Sequence, residues 1–194
     1  MSIDSKTLGA RLATCKVLVV DDEHFMRKVV RTLLMSIGVR NVYEAADGAA
    51  GLEMIRSVEP NIVIVDWQMP GLHGAGFVRM VRSPDTFPFP DVPIIMLTGH
   101  SERSRVVEAV QVGVDEFLLK PVSSNALRDR IVAVLANPRA MIRSGGNYRP
   151  APRTKLTANI HADNDQVIAN NNQAMAKKEH AATKKIPGDF VMIN

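Results

Sequence analysis

Short apolar runs alternate with amphipathic stretches along most of this chain. The runs are Lys16-Val17-Leu18-Val19-Val20, Val42 to Ala45, Ile62-Val63-Ile64-Val65, Pro93 to Leu97, and Glu116-Phe117-Leu118-Leu119. Runs that are apolar throughout, not alternating, predict parallel strands covered by helices on both faces. Between them the period changes to that of a helix. Phe25, Met26, Val29, Val30, Leu33, Leu34 and Ile37 share a face, with Gly38 as a stop. Asp47 caps a helix carrying Leu52 and Ile55 to about Ser57, and Gly74 to Arg82 carries Phe77 and Val81. A further helix over Ser101 to Val112 ends at Gly113, and Ser123 caps a last one with Leu127, Ile131, Val134 and Leu135 inward. Five β-α repeats with right-handed crossovers predict an α/β fold with a doubly wound, five-stranded parallel sheet.

Polar residues leave the carboxyl ends of four of these strands, the edge where open α/β sheets place their ligands. Asp21-Asp22 follows the first run, Asp66 the third, Thr98 the fourth and Lys120 the fifth. Two acidic residues, a third carboxylate, a hydroxyl and a lysine converging on one edge make a phosphoryl-acceptor site. A carboxylate that attacks a phosphoryl group becomes an acyl phosphate, and the attack needs cations to offset charge on the equatorial oxygens. Mg2+ suits that task and takes hard oxygen ligands. Asp22 and Asp66 are the candidate direct ligands, with Asp21 holding a coordinated water and the backbone carbonyl of Gln68 filling another position. Lys120 is a point cation for one phosphate oxygen, and the Thr98 hydroxyl donates to another.

These motifs resemble the receiver domain of two-component response regulators, as found in single-domain chemotaxis receivers. The resemblance rests on Val20-Asp21-Asp22-Glu23, Asp66-Trp67-Gln68-Met69-Pro70-Gly71, Leu97-Thr98-Gly99-His100 and Phe117-Leu118-Leu119-Lys120-Pro121, and covers about residues 15 to 137. It implies a flavodoxin-like strand order 2-1-3-4-5, Asp66 as phosphoacceptor, Asp21 and Asp22 as the acidic pair, and Lys120 as the phosphate contact. Thr98 and Phe117 are then the switch hydroxyl and switch aromatic. Phosphate on Asp66 draws Thr98 inward, Phe117 enters the vacated volume, and the face between the predicted fourth and fifth helices changes. Implied partners are a sensor histidine kinase or a histidine phosphotransfer protein and a downstream protein; dimerisation through that same face is open. Gln68 and His100 match variable positions that tune acyl-phosphate lifetime, His100 being expected as an exposed loop histidine. The expected chemistry is self-phosphorylation and self-dephosphorylation only, not conventional enzyme activity. A haloacid-dehalogenase-like phosphatase would need an aspartate where Gln68 stands.

Composition narrows the setting. The chain has 194 residues and one cysteine, Cys15, which excludes an internal disulfide and reads as a small buried hydrophobe. It contains no apolar run long enough to span a bilayer and no signal-peptide pattern at its start, so a cytoplasmic location is expected. Residues 1–14 are expected as a polar extension, 15–138 as the receiver domain, and 139–194 as a linker and basic, mostly disordered tail. From Arg143 onward, eight Lys or Arg face four Asp or Glu, which accounts for the whole formal excess of +4. Only 11 of those 52 residues are large and apolar, too few for a core. A weak helix near 165–180 and the apolar end Phe190-Val191-Met192-Ile193 are its only structural signals. DNA binding through this tail is the alternative output, although no helix-turn-helix pattern accompanies its charge. Between the third helix and fourth strand, the proline-rich stretch 83–91 predicts a stiff loop whose Phe87 and Phe89 pack back on the domain.

Overall fold

The computed structural model describes residues 5–99, 103–144 and 146–151, all within one compact unit, Met1–Ala151. The elements are α1 (Ser5–Thr14), β1 (Lys16–Val20), α2 (His24–Ser36), β2 (Asn41–Ala45), α3 (Gly48–Val58), β3 (Ile62–Asp66) and α4 (Gly74–Val81). They continue with β4 (Ile94–Thr98), α5 (Arg103–Val112), β5 (Glu116–Leu119), α6 (Ser124–Ala136), β6 (Met141–Ser144) and β7 (Asn147–Pro150). Strands β1 to β5 form one sheet in the order β2-β1-β3-β4-β5, and every pairing is parallel.

The continuous apolar runs have a simple cause: successive side chains point to opposite faces, and both faces are covered. Leu18, Val20, Val63, Val65, Ile94 and Met96 meet α3, α4 and α5 through Leu52, Ile55, Phe77, Val78, Val81, Ala109 and Val112. Val17, Val19, Ile62, Ile64, Ile95, Leu97 and Leu118 meet α1, α2 and α6 through Leu8, Leu12, Val30, Leu34, Leu127, Ile131 and Val134. Helix ends follow their capping residues. Asp47 accepts from the amide of Ala50 at 2.8 Å, and Ser123 from that of Ala126 at 3.2 Å. Gly113 ends α5 at φ +98°, a conformation that a side chain would strain. Cys15 is buried, and burial pushes its thiol up to about 11.

Two segments are more ordered than their composition suggests. The polar stretch before β1 is helical over Ser5–Thr14, because Leu8 and Leu12, one turn apart, are both buried against the second face of the sheet. Part of the stretch read as a linker is an antiparallel hairpin, β6 with β7. The amide of Tyr148 donates to the carbonyl of Arg82 at 2.7 Å, and Arg143 pairs with Asp85 at 2.8 Å. The proline-rich loop behaves as expected: Phe87 is buried with the Arg56 guanidinium 4.9 Å from its ring centre, and Phe89 packs half-buried on the same core. The start of the predicted helix at 101, His100, residues 165–180 and the segment 190–193 lie outside the described residues.

Candidate functional site: a carboxylate cluster at the strand ends

The strand order places β1 and β3 side by side at the point where the chain's winding reverses, so Asp21-Asp22 and Asp66 emerge next to each other. Backbone bonds carry the sheet just beyond its strands at this edge. The Asp21 amide donates to the Ala45 carbonyl at 3.2 Å, that of Trp67 to Leu97 at 2.9 Å, and that of Lys120 to Thr98 at 2.7 Å. The loops holding the polar residues therefore start from a rigid frame.

Asp21 is fully buried, Asp66 is 6% exposed, and Asp22 lies at the surface. One carboxylate oxygen from each of the three lies within 4.8 Å of the other two. Lys120 joins the cluster from the far side, its Nζ 2.8 Å from Asp66 Oδ1 and 3.2 Å from Asp21 Oδ2. Each of these carboxylates keeps its second oxygen on a backbone amide. Glu23 donates to Asp21 Oδ1 at 2.8 Å, and Gln68 donates to Asp66 Oδ2 at 3.2 Å. Thr98 is buried at the end of β4, one strand from Asp66, and Gly99 leaves open space beside it. Phe117 sits half-buried on β5, opposite Met96 in register, and packs against the core face formed with α3 to α5. Gln68, His24 and His73 are exposed, and Trp67 is half-buried directly after Asp66.

The electrostatics follow from crowding. Burial raises the pKa of Asp66; Lys120 pulls it back through a hydrogen bond and its charge, and the neighbouring Asp21 adds to the rise. Burial alone would lower the pKa of Lys120, but the Asp66 and Asp21 carboxylates outweigh it and hold the ammonium charged. Three carboxylates against one ammonium leave an excess of negative charge. Among the described residues the donors gathered here are all hard carboxylate oxygens, so the cluster fits a small divalent cation such as Mg2+.

Two residues at this edge escaped the motif reading. Gly74 opens α4 so close to β3 that a Cβ there would stand 2.4 Å from the Asp66 carbonyl oxygen, which makes a side chain untenable. Its place, eight residues after Asp66 at the start of an apolar helix, was the available signal. Arg27, on the first turn of α2, donates from Nη1 to the carbonyls of Asp21 at 2.7 Å and Asp22 at 3.2 Å. Its position one turn past the acidic pair was legible; its inward direction was not.

Comparison with known proteins agrees with this geometry. The family described as the response regulator receiver domain matches residues 17–132. Chemotaxis protein CheY of Pseudomonas aeruginosa is 34% identical over 116 residues, covering 60% of this chain and 92% of that protein. The probable transcriptional regulator ycf27 of Porphyridium aerugineum is 39% identical over 120 residues, covering 62% of this chain and 48% of that protein. Among solved structures, Vibrio cholerae chemotaxis protein CheY4 superposes with a TM-score of 0.56 at 32% identity, covering 62% of this chain and 98% of that one. The receiver domain of Francisella response regulator 1452 gives a TM-score of 0.58 at 26% identity, covering 63% and 98%. With the family matched over more than half its length and the acidic cluster at the expected strand ends, this chain belongs to the response regulator receiver family.

Proposed function

We propose that the chain is the phosphoacceptor of a two-component relay, with Asp66 receiving the phosphoryl group from a phosphohistidine on a sensor kinase or phosphotransfer protein. The observation that carries this reading is Asp66 Oδ1 at 2.8 Å from the Lys120 ammonium, within a cluster of two further carboxylates. An Asp66 carboxylate oxygen attacks phosphorus; the acyl P–O bond forms as the donor's P–N bond breaks, and the imidazole leaves with the bond's electron pair and is protonated. Lys120 then holds a phosphoryl oxygen where it now holds Asp66, and Thr98 donates to a second. Asp22, Asp66 and the Gln68 carbonyl, with Asp21 acting through a water, would hold Mg2+, which would supply charge neutralisation when bound. Exposed Gln68 stands at the mouth, where it orients or excludes the water that later hydrolyses the acyl phosphate.

Signalling then works by repacking. Thr98 moves toward the phosphoryl group, Phe117 takes the freed volume, and the α5–β5–α6 face is remodelled for a downstream protein or a second copy. Self-phosphorylation and hydrolysis are the extent of its catalysis. Intact-mass analysis after incubation with acetyl phosphate and Mg2+ tests this: a base-labile phosphoryl adduct is expected on wild type and none on Asp66→Asn. An adduct of equal yield on both proteins overturns the assignment. Thr98→Ala should still be phosphorylated but lose phosphorylation-dependent partner binding; full binding would remove the switch.

A further inference from the structure

Arg27 is placed against its own electrostatics. A cation in the first turn of a helix opposes the positive helix N-terminus, and one beside a cation site opposes the ion as well. Yet the Arg27 side chain is only 12% exposed and is turned toward the acidic loop. One guanidinium nitrogen, Nη1, binds the carbonyls of both residues that carry the acidic pair, at 2.7 and 3.2 Å. Its Nη2 lies 3.3 Å from His24 Nδ1, and its Nε lies 3.6 Å from Glu44 Oε2 on β2. Glu44 also takes Arg31 at 3.0 Å, so this one carboxylate is shared by two guanidiniums and offsets the Arg27 charge only in part.

We propose that Arg27 is a positioning residue for the divalent-cation site: by fixing the carbonyls of Asp21 and Asp22 to one nitrogen, it sets the directions in which both carboxylates leave the backbone. The inference rests on the Mg2+ reading above. With Glu23 donating to Asp21 Oδ1 from the other side, the loop between β1 and α2 is held at both its carbonyls and its side chain. Asp22 lies at the surface, so its carboxylate depends most on the direction that backbone gives it. Nη1 serves both carbonyls while Nε and Nη2 of the same plane face Glu44 and His24, so the guanidinium is held on three sides in a way that a lone ammonium cannot reproduce. Glu44, shared with Arg31, reduces the Coulombic penalty of a cation here without removing it.

Charge and position predict opposite signs, which makes the idea testable. Mg2+ affinity is measured by titration calorimetry on the full chain for wild type, Arg27→Met, Arg27→Lys and Arg31→Met, at a temperature where circular dichroism shows each folded. Amide hydrogen exchange over residues 21–23 is followed in EDTA. If Arg27 positions the pair, Arg27→Met binds Mg2+ about tenfold more weakly, as is usual when a metal ligand loses its orienting partner. Arg27→Lys falls between, Arg31→Met binds no more weakly than wild type, and only the Arg27 variants exchange faster at 21–23. Should Arg27→Met not fold, Arg27→Lys carries the test, with weakened binding expected despite retained charge. Unchanged or tighter binding by the Arg27 variants, as removal of a nearby cation alone dictates, overturns the proposal, and so does equal weakening by Arg31→Met. Failure of wild type to bind Mg2+ would instead remove the site reading, and this inference with it.

Discussion

Two clusters of buried charge lie at opposite edges of the same strands, and they are built on opposite plans. At the amino-terminal edge Arg82 is completely buried and every nitrogen of its guanidinium donates. Nε binds the Gly113 carbonyl at 2.9 Å, Nη1 the carbonyls of Pro90 and Val92 at 2.6 and 2.7 Å, and Nη2 Asp115 Oδ2 at 2.8 Å. Asp115 also receives the Ile94 amide at 2.8 Å and lies 3.5 Å from Arg139. At the carboxyl-terminal edge three carboxylates cluster and one ammonium pairs with two of them, Asp66 and Asp21; burial pushes Asp66 upward, and Asp22 opens to solvent. The first cluster is closed and satisfied, so it joins α4, the proline-rich loop, β5 and, through the Arg82 carbonyl, the hairpin. The second has surplus charge and an open side, the conditions for taking up a cation and a phosphoryl group.

The largest expected effect separates the two edges outright. Asp66→Asn should abolish acetyl-phosphate labelling while leaving the fold intact, and its stability should reveal the surplus charge. Burial raises the folded-state pKa of Asp66 above its unfolded value even with Lys120 beside it, so the fold favours the protonated form. That contribution is full below the unfolded pKa and is lost as pH rises through the folded one. Asp66→Asn should therefore melt above wild type at neutral pH in EDTA, with the advantage shrinking in acid. A lower melting temperature at neutral pH would mean that the open cluster is as well balanced as the closed one. At the other edge, Arg82→Met leaves several buried carbonyls without their donor and takes the nearer of two cations from Asp115. It should cost about 3–5 kcal/mol in urea unfolding, the usual range for breaking a buried pair. A loss under about 1 kcal/mol would show that the closed network contributes little.

The two edges also differed in how far the sequence revealed them. The carboxyl-terminal edge was legible because each of its polar residues directly follows an apolar strand, and strand ends are what periodicity marks best. Lys120 and Asp21, 99 positions apart, meet because β1 and β5 point the same way, which five β-α repeats already required. The Arg82 network was not legible, since three of the four acceptors of its guanidinium are backbone carbonyls, which no side-chain pattern records. The hairpin was missed for a related reason: Met141 to Pro150 has a Gly-Gly centre, a known hairpin signal, but its flanks are basic and poorly alternating. Helix α1 was missed because only Leu8 and Leu12 mark its inner face, and their burial depends on a surface offered by α2 and α6.

Cation binding gives an intermediate effect that sharpens the contrast. A ligand held only by the folded state stabilises it by about 2.7 kcal/mol at a concentration one hundred times its Kd. Saturating Mg2+ should therefore raise the melting temperature of wild type and of Arg82→Met alike, because the closed edge takes no part in binding. Asp22→Asn should lose most of the Mg2+-induced shift, while its melting temperature in EDTA stays near that of wild type. Equal Mg2+ shifts in wild type and Asp22→Asn would assign the stabilisation to the bulk surface.

The smallest expected effect lies at the rim of the closed edge. Arg143 and Asp85 approach to 2.8 Å but are 57% and 64% exposed, so solvent screens the pair and side-chain ordering offsets much of its attraction. Arg143→Ala should change stability by no more than about 0.5 kcal/mol, the level typical of exposed pairs. The hairpin is instead held by the Tyr148 amide on the Arg82 carbonyl and by Arg139 on the carbonyls of Val114 and Asp115. Amide exchange at Tyr148 should thus remain slow in Arg143→Ala and become fast in Arg139→Met. If Arg143→Ala alone releases that amide, the hairpin is docked from its exposed rim, and the closed network ends at Arg82.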